Sequence, residues 1–328
     1  MRPEGRETST INSAASRCLR GEVKERIRDK FKQSGACAVG FAQAGEVEAS
    51  EWQLFEEWLK RGDNAGMDYM RNYPELRRDP REMFEAKSVI SVAFSYKPKE
   101  WRDESRGMIA AYAYGKDYHK VIRKLLKEPL REIGEWFRDM RFRVCVDSAP
   151  VLERYWAIKA GIGYRGDNGC VIVPGFGSMV FLAEILTDLE IEEDEPLDMD
   201  CGHCGACVEA CPGKALGETI DCRRCLSYLT IEHKGDWDDP VCGEVLKSEE
   251  GRNTLFGCDR CLRVCPHNKV APPGDIEAFE PLSGVMALDR TVLFRWGEMG
   301  EEGEARFKEQ LSGSSLLRAG LSGLCRNV

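Results

Sequence analysis

Residues 201–213 read CGHCGACVEACPG and residues 256–268 read FGCDRCLRVCPHN. The first run places Cys201, Cys204, Cys207 and Cys211 in a CxxCxxCxxxCP pattern closed by Pro212. The second places Cys258, Cys261 and Cys265 before Pro266, a CxxCxxxCP pattern that is one thiol short. Gaps of two residues let three thiolates on one loop converge on a single cubane, while the longer gap and its proline turn the fourth thiol toward a second cluster, as in bacterial ferredoxins. The eighth ligand can come from DCRRC (221–225), through Cys222 or Cys225. With Cys225 the set divides into Cys201, Cys204, Cys207 and Cys265 around one 4Fe-4S cluster and Cys211, Cys225, Cys258 and Cys261 around the other. Zinc also takes four thiolates, but it rarely uses this interlocked spacing. His203 and His267 lie inside the two loops, where each could tune a sulfur through a hydrogen bond or simply face solvent.

The 15 cysteines suit metal binding better than disulfides in a reducing compartment. A cytoplasmic location is expected: the N-terminal residues carry no apolar run of the secretory kind, and GSMVFLAEILTDL (177–189) is interrupted by Glu184 and too short to span a bilayer. Cys18, Cys37, Cys145, Cys170, Cys242 and Cys325 have no ligand spacing, and Cys37, Cys145 and Cys170 read as small buried hydrophobes. With 47 Lys and Arg against 56 Asp and Glu, the net charge of −9 disfavours a general nucleic-acid coat but permits local basic patches such as RNYPELRRDPR (71–81). HExxH, P-loop and strand-linked GxGxxG patterns are missing, so zinc protease, NTPase and dinucleotide-binding readings have no support.

A ferredoxin unit accounts for a small part of the chain, so something upstream must accept the electrons. There strands alternating with helices suggest an α/β or α+β domain with one main sheet. EVKERIRDKFKQSG has Val23, Ile27 and Phe31 at helical spacing and ends near Gly35, and SEWQLFEEWLKRG reads as a helix from a Ser50 cap to Gly62. Strands are expected at 88–96, 142–147, 170–173 and 178–185. A helix is expected over 117–140, broken or kinked at Pro129. Residues 1–20 read as a mobile tail and the acidic stretch 190–200 as a linker. Short helices are expected in ALDRTVLFRW and GSSLLRAGLSGLCRN. The domain expectation is therefore a catalytic domain over 21–195, a two-cluster domain over 196–275 and a helical C-terminal segment over 276–328. At the end of FRVCVD, Asp147 could be buried enough to hold a proton near neutral pH, while DSAP reads equally well as a helix start capped by Asp147 or Ser148.

YMRNYPELRRDPREMF (69–84), AYAYGKDYHKVIRK (111–124), VDSAPVLER (146–154) and CRRCLSYLTIEHKG (222–235), together with the two cysteine runs, resemble the epoxyqueuosine reductase family. The resemblance implies a nitroreductase-like corrinoid-binding domain joined to a ferredoxin-like domain with two 4Fe-4S clusters that pass electrons to cobalamin. It implies removal of the epoxide oxygen of epoxyqueuosine in the tRNA anticodon loop, giving queuosine, with Asp147 as proton donor and Cys225 as the eighth thiolate. It points to Tyr69, Met70, Arg71, Tyr114, Asp147, Asn168, Val171, Ser227, Asp259 and Arg260 for the cofactor. Arg154 and Lys234 are pointed to for the tRNA, with Arg77, Arg78 and Arg81 as further phosphate contacts. A low-potential donor such as a flavodoxin or ferredoxin is the implied partner, with no membrane. Where the family commonly carries GxGWxGKN, this chain has Tyr164 and Asp167. The alternatives are a corrinoid iron–sulfur reductase for another halogenated or oxidised small molecule, and a non-catalytic electron-transfer or cobalamin-handling protein.

Overall fold

The structure is a computed structural model that describes residues 18–137, 139–234 and 240–328, so most of the expected tail (1–20) lies outside the described residues. The strands are β1 (Ala38–Gln43), β2 (Ser88–Ser95), β3 (Met108–Ile109), β4 (Phe142–Cys145), β5 (Tyr164–Arg165), β6 (Val171–Ile172), β7 (Val180–Thr187) and β8 (Thr254–Phe256). Four of them make an antiparallel sheet in the order β1-β2-β7-β4. Every residue of central β2 is buried, because helices cover both faces of the sheet. Parity still sorts its side chains. Val39, Phe41, Ile90, Val92, Phe94, Phe181 and Ile185 pack under the helices Gly21–Gln33 and Tyr118–Trp136 through Ile27, Phe31, Ile122 and Leu126. Ala42, Val89 and Leu186 point the other way, with Cys145, onto Trp52 and Trp156 of the helices Ala49–Lys60 and Glu153–Lys159.

Several boundaries differ from the sequence expectations for physical reasons. Pro129 does not break Tyr118–Trp136. Its ring is buried with Ile122, Leu126 and Ile133, and that packing outweighs the lost backbone hydrogen bond. The helix expected from Ser50 is Ala49–Lys60, with Glu48 rather than Ser50 at its cap. Strand pairing over 142–147 ends at Cys145, and the helix after it starts at Glu153, so DSAP caps nothing. The 190–200 stretch is strapped down: Asp194 receives Arg28 and Lys24 as ion pairs and the Phe41 backbone N–H at 3.1 Å.

The C-terminal segment holds a helix that EEGEARFKEQ conceals, Glu301–Gln310, between the helices Arg290–Glu298 and Gly320–Arg326. Gly303 lets it approach the preceding helix, since a Cβ there would stand 1.8 Å from the Trp296 carbonyl oxygen. Leu293, Trp296, Phe307, Leu316 and Leu324 then close a second core over Ile109 of β3 and Phe256 of β8. Asn327 locks this segment onto the helix Leu226–Ile231 by donating to the carbonyls of Thr230 and Leu255, each at 2.8 Å.

Candidate active site

GKDYH ends at the start of Tyr118–Trp136, where the Asp117 carboxylate accepts from the His119 backbone N–H at 3.2 Å and from His119 Nδ1 at 2.8 Å. The opposite ring nitrogen, Nε2, meets Asp147 Oδ2 at 2.9 Å. A nitrogen and a carboxylate oxygen at that distance need one proton between them, so the His119–Asp147 pair stores a proton whichever atom carries it. Tyr118, stacked on Phe181 at 4.3 Å and on His119 at 4.0 Å, also hydrogen-bonds the Asp147 carboxylate.

Burial pushes the Asp147 carboxyl up, but the His119 and Tyr118 hydrogen bonds and the His119 and Arg318 charges outweigh it and leave the group below the ordinary carboxylate range. This reverses the rise expected from a strand-end position. Because β4 stops at Cys145, Asp147 stands out in the loop, with Oδ2 held by His119 and 57% of the side chain still exposed. Its φ of 58° is left-handed, a conformation that costs a non-glycine residue about 1–3 kcal/mol and persists only where neighbours over-determine it.

A cavity of about 410 Å³ adjoins this pair, lined by Gly66, Tyr69, Tyr228, Glu232, His233 and Lys234. Burial, and after it the Asp147 charge, raises the Glu232 carboxyl. Tyr69 is pushed up to about 12, first by burial and then by Glu232 and Asp147. The three groups therefore share one local field. Asp117, Tyr118, His119 and Glu232 are site residues that do not stand out in the sequence. The signal for them is a carboxylate two residues before a histidine at a helix start, and an acid inside EHKG.

The cysteine runs fold toward one another. At Gly213 a Cβ would stand 1.8 Å from the Arg224 carbonyl oxygen, so the loop after Pro212 lies directly on the loop that carries Cys225. Burial and then repulsion from neighbouring thiolates raise the thiols of Cys225, Cys258 and Cys261: Cys261 feels Cys258, Cys225 and Cys211, Cys225 feels Cys211, and Cys258 feels Cys225. Backbone N–H groups point at these sulfurs, from Ala215 to Cys211 at 3.3 Å, from Ser227 and Tyr228 to Cys225, and from Arg260 to Cys258. Cys201 and Cys265 both act on Tyr164, and Cys204 acts on Cys207. Cys222 lies in the small core of Leu226, Tyr228 and Val245, against which Cys225 and Cys258 are also packed. Buried thiols that repel one another, met by N–H donors, fit iron–sulfur clusters, whose irons neutralise the thiolates. Cys170, expected to be only a small buried hydrophobe, lies close enough to Cys225, Cys265 and Cys207 to feel their charge.

Residues 77–148 match the family model described as "Epoxyqueuosine reductase QueG, DUF1730", and residues 200–268 match the "4Fe-4S double cluster binding domain". An epoxyqueuosine reductase of Cyclobacterium marinum is 41% identical over 303 residues, covering 89% of this chain and 93% of that protein. The chain belongs to the epoxyqueuosine reductase family. The Escherichia coli member is 35% identical over 315 residues, covering 92% of this chain and 79% of that protein. A crystal structure of an epoxyqueuosine reductase with an epoxyqueuosine-modified tRNA-Tyr stem loop superposes with a TM-score of 0.81 at 28% identity, covering 93% of this chain and 80% of that one. A Bacillus subtilis structure whose catalytic loop is swung out of the active site gives 0.79 at 28% identity, with the same coverage. Membership makes the chain an oxidoreductase of the α+β fold with a double-cluster domain.

The other residues that the family resemblance singles out are spread unevenly around the cavity. Tyr69 is half exposed on its wall, with Met70 beside it on the same 3-10 turn. Arg71 is turned back onto the Leu59 carbonyl at 2.7 Å and Asn64 at 3.2 Å. Tyr114 does not reach the cavity: it is 1% exposed in the second core, with its hydroxyl 3.3 Å from the Arg102 N–H and from Arg263. Asn168 is buried and accepts the Cys170 N–H at 3.1 Å, close to buried Val171 on β6. Asp259 is a buried clip, accepting the Ala111 N–H at 2.9 Å and Arg263 Nε at 2.8 Å. Arg260 Nε is buried without a hydrogen-bond partner, an orphan donor between cluster thiols that fits a polar cofactor edge.

Among the basic residues, Lys234 is exposed at the cavity edge and Arg154 reaches the Gly169 carbonyl at 2.7 Å. Arg77 is buried, holding the Asn72 and Tyr69 carbonyls, so it is no surface phosphate contact; Arg81 is paired with Asp79 and Arg78 with Glu46. The two departures from the family pattern have local partners. Tyr164 packs edge-on against His267, and Asp167 pairs with His203 at 2.7 Å, whose Nδ1 lies 3.8 Å from Cys201 Sγ. Among the described residues no helix is long and apolar enough to cross a membrane.

Proposed function

We propose that this chain reduces epoxyqueuosine to queuosine in the anticodon loop of tRNA, using cobalamin and two 4Fe-4S clusters. The observation that carries the reading is the His119–Asp147 pair, whose Asp147 charge acts on Tyr69 and Glu232 of the cavity wall. Opening an epoxide to an alkene consumes two electrons and two protons and releases the oxygen as water. When bound, the clusters and the corrinoid would supply the electrons and the reductive chemistry for the carbon–oxygen bond. Cys201, Cys204, Cys207 and Cys265 would hold one cluster and Cys211, Cys225, Cys258 and Cys261 the other. The orphan Arg260 Nε, with Tyr69, Met70, Asn168, Val171 and Ser227, would hold the corrinoid.

This chain's residues do the rest. Asp117 fixes the ring orientation of His119, His119 holds the proton against Asp147 Oδ2, and Asp147 delivers it to the departing oxygen. Glu232, held above its ordinary range inside the cavity, is the source of the second proton. Lys234 and Arg154 would contact phosphates and position the loop without reading its bases. Cys204 is the exposed thiol of the first quartet, which makes that side the entry for electrons from a low-potential donor such as a flavodoxin or ferredoxin. The test is to incubate anaerobically prepared, cobalamin-loaded protein and a strong reductant with tRNA carrying epoxyqueuosine. Appearance of queuosine supports the reading, and unchanged nucleoside with cobalamin and clusters in place overturns it.

A further inference from the structure

Asp147 is the only residue of the proton-bearing pair that sits in a loop, and its left-handed backbone needs something to hold it. The hydrogen bond from His119 restrains the carboxylate, not the chain. The backbone is held from the other side, where the Asp147 N–H donates to Glu153 Oε1. Glu153 is the first residue of the helix Glu153–Lys159, six positions on, so the contact closes the 147–152 loop onto the helix that follows it.

Glu153 is itself backed by a buried carboxyl. Glu184 lies in the middle of β7, opposite Ser91 of β2 and Cys145 of β4, on the face of the sheet that packs against Glu153–Lys159. It is 0% exposed; the Ser91 hydroxyl donates to its Oε1 at 2.9 Å, and its Oε2 has no hydrogen-bond partner. The Glu153 charge adds to burial in favouring the neutral form of Glu184. Burial, followed by the Asp147 charge, moves Glu153 up to about 8, against the pull of Arg154 and Arg123. A neutral carboxyl still accepts an N–H through its carbonyl oxygen, so the anchor does not depend on charge.

We infer that Glu153 is a positioning residue for the reaction: by accepting the Asp147 N–H it holds the 147–152 loop in its left-handed form, so that the acid faces the cavity. The inference rests on the proposed function for its meaning. A loop with that anchor cut would leave Asp147 held only by the His119 and Tyr118 hydrogen bonds to its carboxylate.

Three variants separate geometry from charge. Glu153→Gln keeps an acceptor oxygen at the same reach, Glu153→Asp keeps the charge but withdraws it by one methylene, and Glu153→Ala removes the acceptor. Expected is Gln within about threefold of wild type in kcat, with Asp and Ala both down about a hundredfold at unchanged KM, the cost of misplacing a reacting group by about 1 Å. Hydrogen exchange of the 145–152 peptide supplies a readout that needs no substrate: the Asp147 amide should exchange about tenfold faster in Asp and Ala than in wild type and Gln. The inference is overturned if Gln is as impaired as Ala, if Asp outperforms Gln, or if amide exchange is equal in all four proteins. If the wild type fails to convert the tRNA, the proposed function fails, and the exchange experiment still decides whether Glu153 anchors the loop. Should Ala not fold, Gln against Asp gives the same decision.

Discussion

Replacing Asp147 by Asn is the sharpest perturbation of the proposed chemistry. The amide has nearly the same shape, its oxygen can accept from His119 and Tyr118 as the carboxylate does, and the side chain is 57% exposed, so no buried charge is stranded. Stability should therefore change by less than about 1 kcal/mol. What the variant loses is the shared proton. A positioned general acid contributes about 10²–10⁴-fold, so the single-turnover rate of epoxyqueuosine reduction should fall by that factor, equivalent to about 3–5 kcal/mol of barrier. The pH dependence carries a second signature. Because the His119 and Tyr118 hydrogen bonds hold Asp147 below the ordinary carboxylate range, its protonated form is a falling minority throughout the neutral region. The wild-type rate should decline with rising pH, by up to tenfold per unit for the Asp147 proton, and the Asn variant should lose that part and keep only the shallower dependence left by Glu232. The assay is anaerobic single turnover with loaded, pre-reduced protein, followed by nucleoside analysis by mass spectrometry. An Asn variant within threefold of wild type, or one with the same pH slope, would refute the assignment of the proton to Asp147.

Cys225→Ser should lose about half the iron and the spectrum of one cluster, whereas Cys222→Ser, altering a thiol packed among Leu226, Tyr228 and Val245, should keep both; iron analysis and electron paramagnetic resonance decide. Glu184 is buried and held well above its ordinary value near 4.5, so it stabilises the fold fully below that value and less as the pH rises toward its folded-state pKa. Glu184→Gln should make the loss of stability between pH 5 and 8 shallower by up to about 1.4 kcal/mol per pH unit, read from denaturation midpoints; parallel curves would contradict the buried-acid account. Asn327→Ala removes two donors from buried carbonyls and should destabilise the protein by about 2 kcal/mol or more, measured by chemical denaturation.

The double-cluster domain was legible in the sequence because the cysteines that mark it are a matter of local spacing: loops that carry CxxC turns can place their thiols in few other ways. The central sheet was legible for a related reason, since runs such as SVISVAF can be satisfied only between two covered faces. Of the acid site, the sequence pointed to Asp147 alone. Asp147 lies in a recognisable motif, but its partner His119 comes from a helix 28 positions earlier and meets it only because the 118–136 helix runs beneath the end of β4. Glu153 and Glu184 were hidden in the same way, as charged residues whose meaning is given by burial under a neighbouring element. Tyr114 and Arg77 show the converse: a tyrosine and an arginine in suggestive company can be consumed by the core, one in side-chain packing and the other in holding backbone carbonyls.

The most direct test of the whole account is cofactor dependence of the conversion itself. Protein with both clusters reconstituted is given reductant and epoxyqueuosine-containing tRNA, with and without cobalamin. The account predicts queuosine only when cobalamin is present. Queuosine formed without cobalamin, or none formed with it, would contradict the account.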